Sequence, residues 1–289
     1  MKNKYAIIIA ASRRFKFGLN AFLNSLDYYG NKEFDFYLIN DFEQEYIEKI
    51  KVFDFPVVDI RIEELNYDIP SEKALLSWKT RFLRWKFAAE IGPKYDALLV
   101  VDADMVCLSN IMQYFKIAKD TGFVVVVNNP IGCDLETIKE KGIDNIKGAA
   151  SPPIHCMPTF IDGRKYQGFL EKIWKNGISG NLGDMSTMFR TLYWEDLLEN
   201  LFRLPNALWI QTWWYHDAIE KKGNFLYCAN ERMNMFHGKW WLPELCRKTE
   251  EIKETNLIDF GRKNVRLFFE QYKKFNTQWK VKLDFPFEL

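Results

Sequence analysis

Cysteine is scarce in this chain and spaced for neither a metal nor a disulfide framework. The five cysteines, Cys107, Cys133, Cys156, Cys228 and Cys246, are odd in number and form no C-x-x-C pair, so a thiolate zinc site and a set of structural disulfides are both disfavoured and reduced, buried thiols are expected. His155-Cys156 is an isolated adjacent pair in a proline-rich stretch and carries little weight as a reactive couple. An excess of charge is also missing. Forty Lys and Arg stand against 39 Asp and Glu, and such a balance gives no field that would gather nucleic acid or an acidic membrane surface. No run approaches the ~18 apolar residues of a membrane-crossing helix. The opening MKNKYAIIIAASRRF imitates a signal peptide, but its apolar middle is only about seven residues long and Arg13-Arg14 follow at once, so a first core strand explains it better. A soluble cytoplasmic protein, compatible with peripheral contact to a membrane, is the expectation. Neither GxxxxGK[ST] nor GxGxxG occurs, so a bound nucleotide would need a metal and side chains rather than a backbone cradle. There is no internal repeat and no low-complexity segment.

Aromatic residues are plentiful, with 10 Trp and 24 Phe. Most must serve the core, although exposed Trp also makes flat platforms for sugars. The length suits one large domain with an extension: a domain over 1–243 and a charged, aromatic, helical extension over 244–289 that packs on it. In the first half, strand and helix patterns alternate. Strands are expected at 5–11, 34–40, 56–60, 97–101 and 123–128, and helices at 18–29, 43–53, 71–91 and 111–121. Ser71 is a candidate N-cap, and Gly92-Pro93 stops the third helix. Strands separated by helices imply an α/β fold with a mostly parallel sheet, and ligands on such a sheet sit beyond the carboxyl ends of its strands. Ser12, Asp41, Asp102 and Asp104 fall there. From Pro130 onward the pattern degrades, and AASPPIHCMPTFIDGRK reads as loop.

The segment LLVVDADMVCL, 98–108, drives an apolar strand into two carboxylates. Ionised carboxylates are costly to bury without a positive partner, and hard divalent cations with oxygen ligands provide one. Side-chain alternation along a strand would put Asp102 and Asp104 on one face and Ala103 on the other. The competing reading is a strand end whose aspartates face water.

The longer stretch YDALLVVDADMVCLSNI resembles the metal-binding Asp-x-Asp segment of GT-A-fold glycosyltransferases, and most closely that of glycosyltransferase family 8. The resemblance implies a GT-A sheet flanked by helices, a nucleotide-sugar donor such as a UDP-sugar, and Mn²⁺ or Mg²⁺ on Asp102 and Asp104, with Ala103 between them against the donor. MNMFHGKWW, 233–241, resembles the family's late His-x-x-Gly-x-x-Lys-Pro-Trp element in a compressed form. By that resemblance His237 is the third metal ligand and Lys239 touches the diphosphate, the alternative for His237 being a structural histidine. Asn181-Leu182-Gly183 resembles the family's Asn-Ala-Gly, which contacts the donor sugar, and is also an ordinary turn. Asp184 follows it and is a candidate for sugar hydroxyls or catalysis.

WWYHDAIEKKGNFLYCANER reads as a His-Asp pair opening a helix that ends at Gly223, followed by a strand. It resembles the Glu-Asp segment of inverting family 2 enzymes, in which the Asp is a general base, and a family 8 region that holds the donor sugar. Both place Asp217 at the reaction centre, in different roles; a helix cap is the plainer alternative. Lys79 and Arg81, in SWKTRFLRWKF, are the nearest matches to a family 8 Arg-bearing helix that faces the donor. Ala10, Ala11 and Ser12 end the first strand where the fold holds the nucleotide, and Asp41 ends the second where relatives bind base or ribose. Trp213, Trp214, Trp240 and Trp241 are candidates for an acceptor platform, with core packing as the alternative. The expected reaction is metal-dependent transfer of a sugar to a hydroxyl of a glycan or glycoconjugate. Two other readings stand beside it: a sugar-nucleotide-binding protein without catalysis and a Mg²⁺-dependent nucleotidyltransferase.

Overall fold

Buried parallel strands need side chains that are apolar on both faces. Tyr5–Ala11, the first strand, is buried at every position, and Ala97–Val100 likewise. A computed structural model of the protein describes residues 4–65, 67–69, 76–127, 154–180, 182–204, 219–228, 230–237 and 262–285, with the backbone alone at 76–80, 126–127, 155 and 262–266.

In chain order the strands and α-helices are β1 (Tyr5–Ala11), α1 (Lys16–Tyr28), β2 (Phe34–Asn40), α2 (Gln44–Ile50), β3 (Val57–Arg61), α3 (Leu76–Ile91), β4 (Ala97–Val100), β5 (Met105–Cys107), α4 (Met112–Thr121), β6 (Phe123–Val127), β7 (Ile154–Ile161), α5 (Gln167–Ser179), α6 (Asp184–Trp194), β8 (Phe202–Leu204), β9 (Ile219–Lys222), β10 (Phe225–Cys228), β11 (Glu231–Arg232), β12 (Met235–His237) and α7 (Arg262–Thr277). Seven strands form one sheet in the order β3-β2-β1-β4-β7-β6-β8. Strands β1 to β4 run parallel, β7 is antiparallel to both its neighbours, and β6 pairs with β8 in parallel. This is the mostly parallel α/β sheet that the alternating pattern implies. Because β1, β2 and β4 are adjacent and parallel, their carboxyl ends share one edge, and the residues that follow them meet there.

A second, smaller core lies off this sheet. The two-stranded pair β5–β12 and the hairpin β9–β10 bring Val106, Leu226, Cys228 and Phe236 against Phe268, Tyr272 and Phe275 of α7, with Ala21 of α1 on the other side. Helix α7 thus packs on α1. The boundary expected at residue 244 lies outside the described residues, as does the N-cap expected at Ser71.

Three expectations are corrected. The stretch read as loop from 149 to 165 contains β7, a central strand. Its three prolines, Pro152, Pro153 and Pro158, suggest loop, yet Pro158 needs no ladder hydrogen bond. The β6 register jumps from Val125↔Thr159 to Val126↔His155, so residues 156–158 bulge out, and the β4 ladder ends at Val100↔Thr159. A bulge is where a proline fits in a sheet. The second correction concerns 219–222, expected as helix and observed as strand β9. Gly223, at φ +60°, opens the two-residue loop to β10, in which Phe225 pairs with Lys222. Glycine after a polar run marks either a helix end or a hairpin loop, and the ladder with β10 decided for the hairpin. Third, β4 ends at Val100, so Asp102, Ala103 and Asp104 lie in a turn and not on a strand with alternating faces.

Candidate active and metal site

The turn after β4 is held from below and from the side. The Val101 amide donates to the Ile8 carbonyl at 3.2 Å, carrying the sheet one residue past the end of β4. The chain then swings into β5, which pairs antiparallel with β12 in the register Met105↔His237. That register delivers His237 to the mouth of the turn. Its Nε2 lies 2.9 Å from Asp104 Oδ1 and 3.5 Å from Asp102 Oδ2. One ligand atom from each of the three residues falls within 4.8 Å of the others. Asp104 and His237 are buried, and the Asp102 side chain keeps 30% of its surface exposed, so the cluster opens outward through Asp102. Two carboxylates and an imidazole nitrogen directed at one point form a donor set that suits Mn²⁺, and through its oxygens Mg²⁺. The residues present fit such an ion.

Arg84, on α3, was not singled out in the sequence. It is 2% exposed and donates to the Val101 carbonyl at 3.3 Å, to Asp102 Oδ1 and to Asp184 Oδ2. Burial alone would lower its pKa, but the two carboxylates outweigh that and hold it above the ordinary arginine value. The planar guanidinium fork can serve two acceptors at once, which a lysine ammonium at the same place cannot do equally well. Asp102 is therefore shared: one oxygen faces Arg84, the other His237. Asp184 opens α6, and its Oδ1 accepts the Met185 amide at 3.0 Å, an arrangement suited to the positive end of a helix.

A signal for Arg84 did exist. Lys86 and Glu90, at i and i+4, pair with each other at 3.5 Å on a partly exposed face of α3. Arg84 lies on the opposite side with Ala88 and Ile91, both buried. A basic residue on an apolar stripe is the feature to look for.

The other expected residues are placed as follows. Ala10, Ala11 and Ser12 are buried at the end of β1. Asp41 meets them across the edge, its Oδ1 accepting the Arg13 amide at 2.6 Å. Ala103 is buried between the two aspartates. Arg81 is exposed, and a Cβ built on Gly183 would lie 3.9 Å from its Nη1, so these two are neighbours beside Asp184. Lys79 lies on α3, where only its backbone is described. Asn181, Asp217, His216, Lys239 and the four tryptophans lie outside the described residues. Of the cysteines, Cys107, Cys156 and Cys228 are buried.

No protein-family model matches the chain, and no curated protein matches it. Solved structures do. Mouse xyloside xylosyltransferase 1 superposes with a TM-score of 0.56 at 14% identity, over 83% of this chain and 99% of the other. This is a GT-A fold. The galactosyltransferase LgtC, solved in complex with donor and acceptor sugar analogs, superposes with a TM-score of 0.52 at 11% identity, over 84% of this chain and 95% of its own. The bifunctional glycosyltransferase WbbM gives a TM-score of 0.57 at 9% identity, over 83% of this chain but 46% of that longer one. At such identities the likeness concerns the GT-A fold. Among the described residues no helix is long and apolar enough to cross a membrane.

Proposed function

We propose that this chain is a metal-dependent glycosyltransferase. It would take a sugar from a nucleotide diphosphate sugar, in the first instance a UDP-sugar, and pass it to a hydroxyl of a glycan or glycoconjugate. The observation that carries this reading is the meeting of Asp102, Asp104 and His237 at the carboxyl edge of a GT-A sheet. Bound there, Mn²⁺ or Mg²⁺ would supply Lewis acidity toward the departing diphosphate and a template for it.

The chain's own residues prepare that place. Arg84 holds Asp102 by one oxygen and leaves the other turned to His237. Its second contact fixes Asp184, so a sugar lying over the edge meets a carboxylate already oriented for its hydroxyls. Arg81, beside Gly183, brings a positive charge to the same side; Lys79 and Lys239 join it on the strength of the sequence resemblance. Ala10, Ala11, Ser12 and Asp41 form the adjoining stretch of edge, where nucleoside and ribose are assigned. Ala103, between Asp102 and Asp104, is assigned to the donor, and Asn181 with Gly183 to its sugar, by the sequence resemblance. Asp217 is assigned to the reaction centre by resemblance, either taking the acceptor proton or steadying the donor sugar.

The fold neighbours named for xylosyl and galactosyl transfer belong to the same reaction class. The test is release of UDP from a panel of UDP-sugars with and without Mn²⁺. Release that needs Mn²⁺ and disappears in Asp104→Asn is the expected result. Tight donor binding without release, even with acceptor glycans, would make the chain a binding protein. Pyrophosphate formed from a nucleoside triphosphate and a sugar phosphate would make it a nucleotidyltransferase.

A further inference from the structure

Asp104 stands just outside the ladder that fixes its neighbours. The β5–β12 pairing starts at Met105↔His237, and the sheet contact below ends at Val101, so the peptide carrying Asp104 needs another support. That support comes from the far end of the chain. The Tyr272 hydroxyl, on α7, donates to the Asp104 backbone carbonyl. The Tyr272 ring is fully buried and stands edge-on to Phe236, with centroids 5.5 Å apart at 81°. Phe236 precedes His237 on β12 and packs on Phe268, one helical turn before Tyr272, at 4.4 Å. One side chain of α7 thus touches both the turn bearing two of the carboxylates and the strand bearing the imidazole.

We propose that Tyr272 is a positioning residue for the metal site: through its hydroxyl on the Asp104 carbonyl it sets where the Asp-x-Asp turn stands against His237. This inference rests on the metal reading above. Groups that orient metal ligands without touching the ion typically contribute about 10–100-fold in metal affinity. Tyr272→Phe keeps the ring and its packing and removes only the hydroxyl, so any loss of affinity reports on the Asp104 carbonyl. Phe268→Leu is the control, because it loosens the same aromatic cluster and keeps the hydroxyl bond.

Mn²⁺ affinity is measured by calorimetry on the full chain, beside the urea unfolding midpoint, for wild type, Tyr272→Phe, Phe268→Leu and Asp104→Asn. The expected result is a Kd raised about 10-fold or more in Tyr272→Phe, near wild type in Phe268→Leu, and binding lost in Asp104→Asn. A wild-type Kd in Tyr272→Phe, with binding still lost in Asp104→Asn, overturns this inference and leaves the metal reading standing. A Kd that rises in Tyr272→Phe and Phe268→Leu alike, in step with their unfolding midpoints, makes Tyr272 a purely structural residue and overturns it as well. No Mn²⁺ binding by wild type overturns both.

Discussion

Arg84 carries a guanidinium into a place from which water is nearly excluded, and two carboxylates with the Val101 carbonyl make that tolerable. Removing one partner of a buried ion pair leaves an uncompensated charge, at a cost of about 3–5 kcal/mol. Arg84→Met is expected to lose toward the lower end of that range, because Asp102 is still partly wet. Urea unfolding of the variant measures it, and an unchanged midpoint would mean that the bridge contributes nothing to the fold. Arg84→Lys is expected to fall between the two, since a single ammonium serves both acceptors poorly.

Asp217 poses a different question, of role rather than strength. As a general base it contributes roughly 10²–10⁴-fold to rate, so Asp217→Asn should lower kcat by that much with donor affinity kept. As a grip on the sugar it should weaken binding of the intact donor and leave UDP binding alone. Donor and UDP affinities measured beside kcat separate the two, and wild-type values throughout would remove Asp217 from the site. At this scale the cluster of Asp102, Asp104 and His237 was legible, because two carboxylates after an apolar run and a late His are local patterns. Arg84 was less legible because basic residues also stand at positions 79, 81 and 86 of the same segment, and the pattern alone does not say which of them meets a carboxylate.

Helices α3 and α5 approach each other more closely than side chains normally permit. Gly177 of α5 faces Phe82 of α3, and a Cβ there would lie 2.1 Å from a ring carbon. Gly177→Ala sets two effects against each other. Helix propensity favours alanine by about 1 kcal/mol, while forcing a methyl into a packed contact costs about 1–3 kcal/mol. At 2.1 Å the clash should win, and since Phe82 lies in the same helix as Arg84, the strain bears on the element that holds Asp102. Thermal unfolding should show a lower midpoint; a raised midpoint would mean that α5 can move away freely. The elements misread from sequence share one cause. Pro158 and Gly223 each have two structural uses, in strand bulge or loop and in hairpin or helix end, and the choice was made by partner strands that local patterns do not reveal.

Across the whole molecule, the tail is fastened by buried asparagines. Asn24 of α1 donates to the carbonyls of Phe275 at 2.6 Å and Val281 at 2.8 Å and accepts the Val281 amide at 3.2 Å. Asn20 donates to Val281 and to the Asn276 side chain, both at 3.0 Å. These partners lie 251 and more residues along the chain, which is why helix patterns in either segment could not reveal them, whereas the parallel half of the sheet was legible from apolar runs alone. Asn24→Ala takes the acceptor from the Val281 amide and a donor from the Phe275 carbonyl, at roughly 1–3 kcal/mol for each buried group left unpaired, while the Val281 carbonyl keeps Asn20. Hydrogen exchange should accelerate at Val281 and leave β1 and β4 protected; unchanged exchange at Val281 would show that the tail is held by its aromatic contacts instead.

The proposed function requires that Asp102, Asp104 and His237 together hold a divalent cation that receives a nucleoside diphosphate. UDP binding measured by calorimetry with Mn²⁺ and with a chelator, on wild type and on Asp102→Asn and Asp104→Asn of unchanged circular dichroism, tests it most directly. Wild type is expected to bind UDP with Mn²⁺ and much more weakly with the chelator, and both variants to bind as the chelated wild type does. UDP binding of equal strength with and without Mn²⁺, or Mn²⁺-dependent binding retained in both variants, would contradict it.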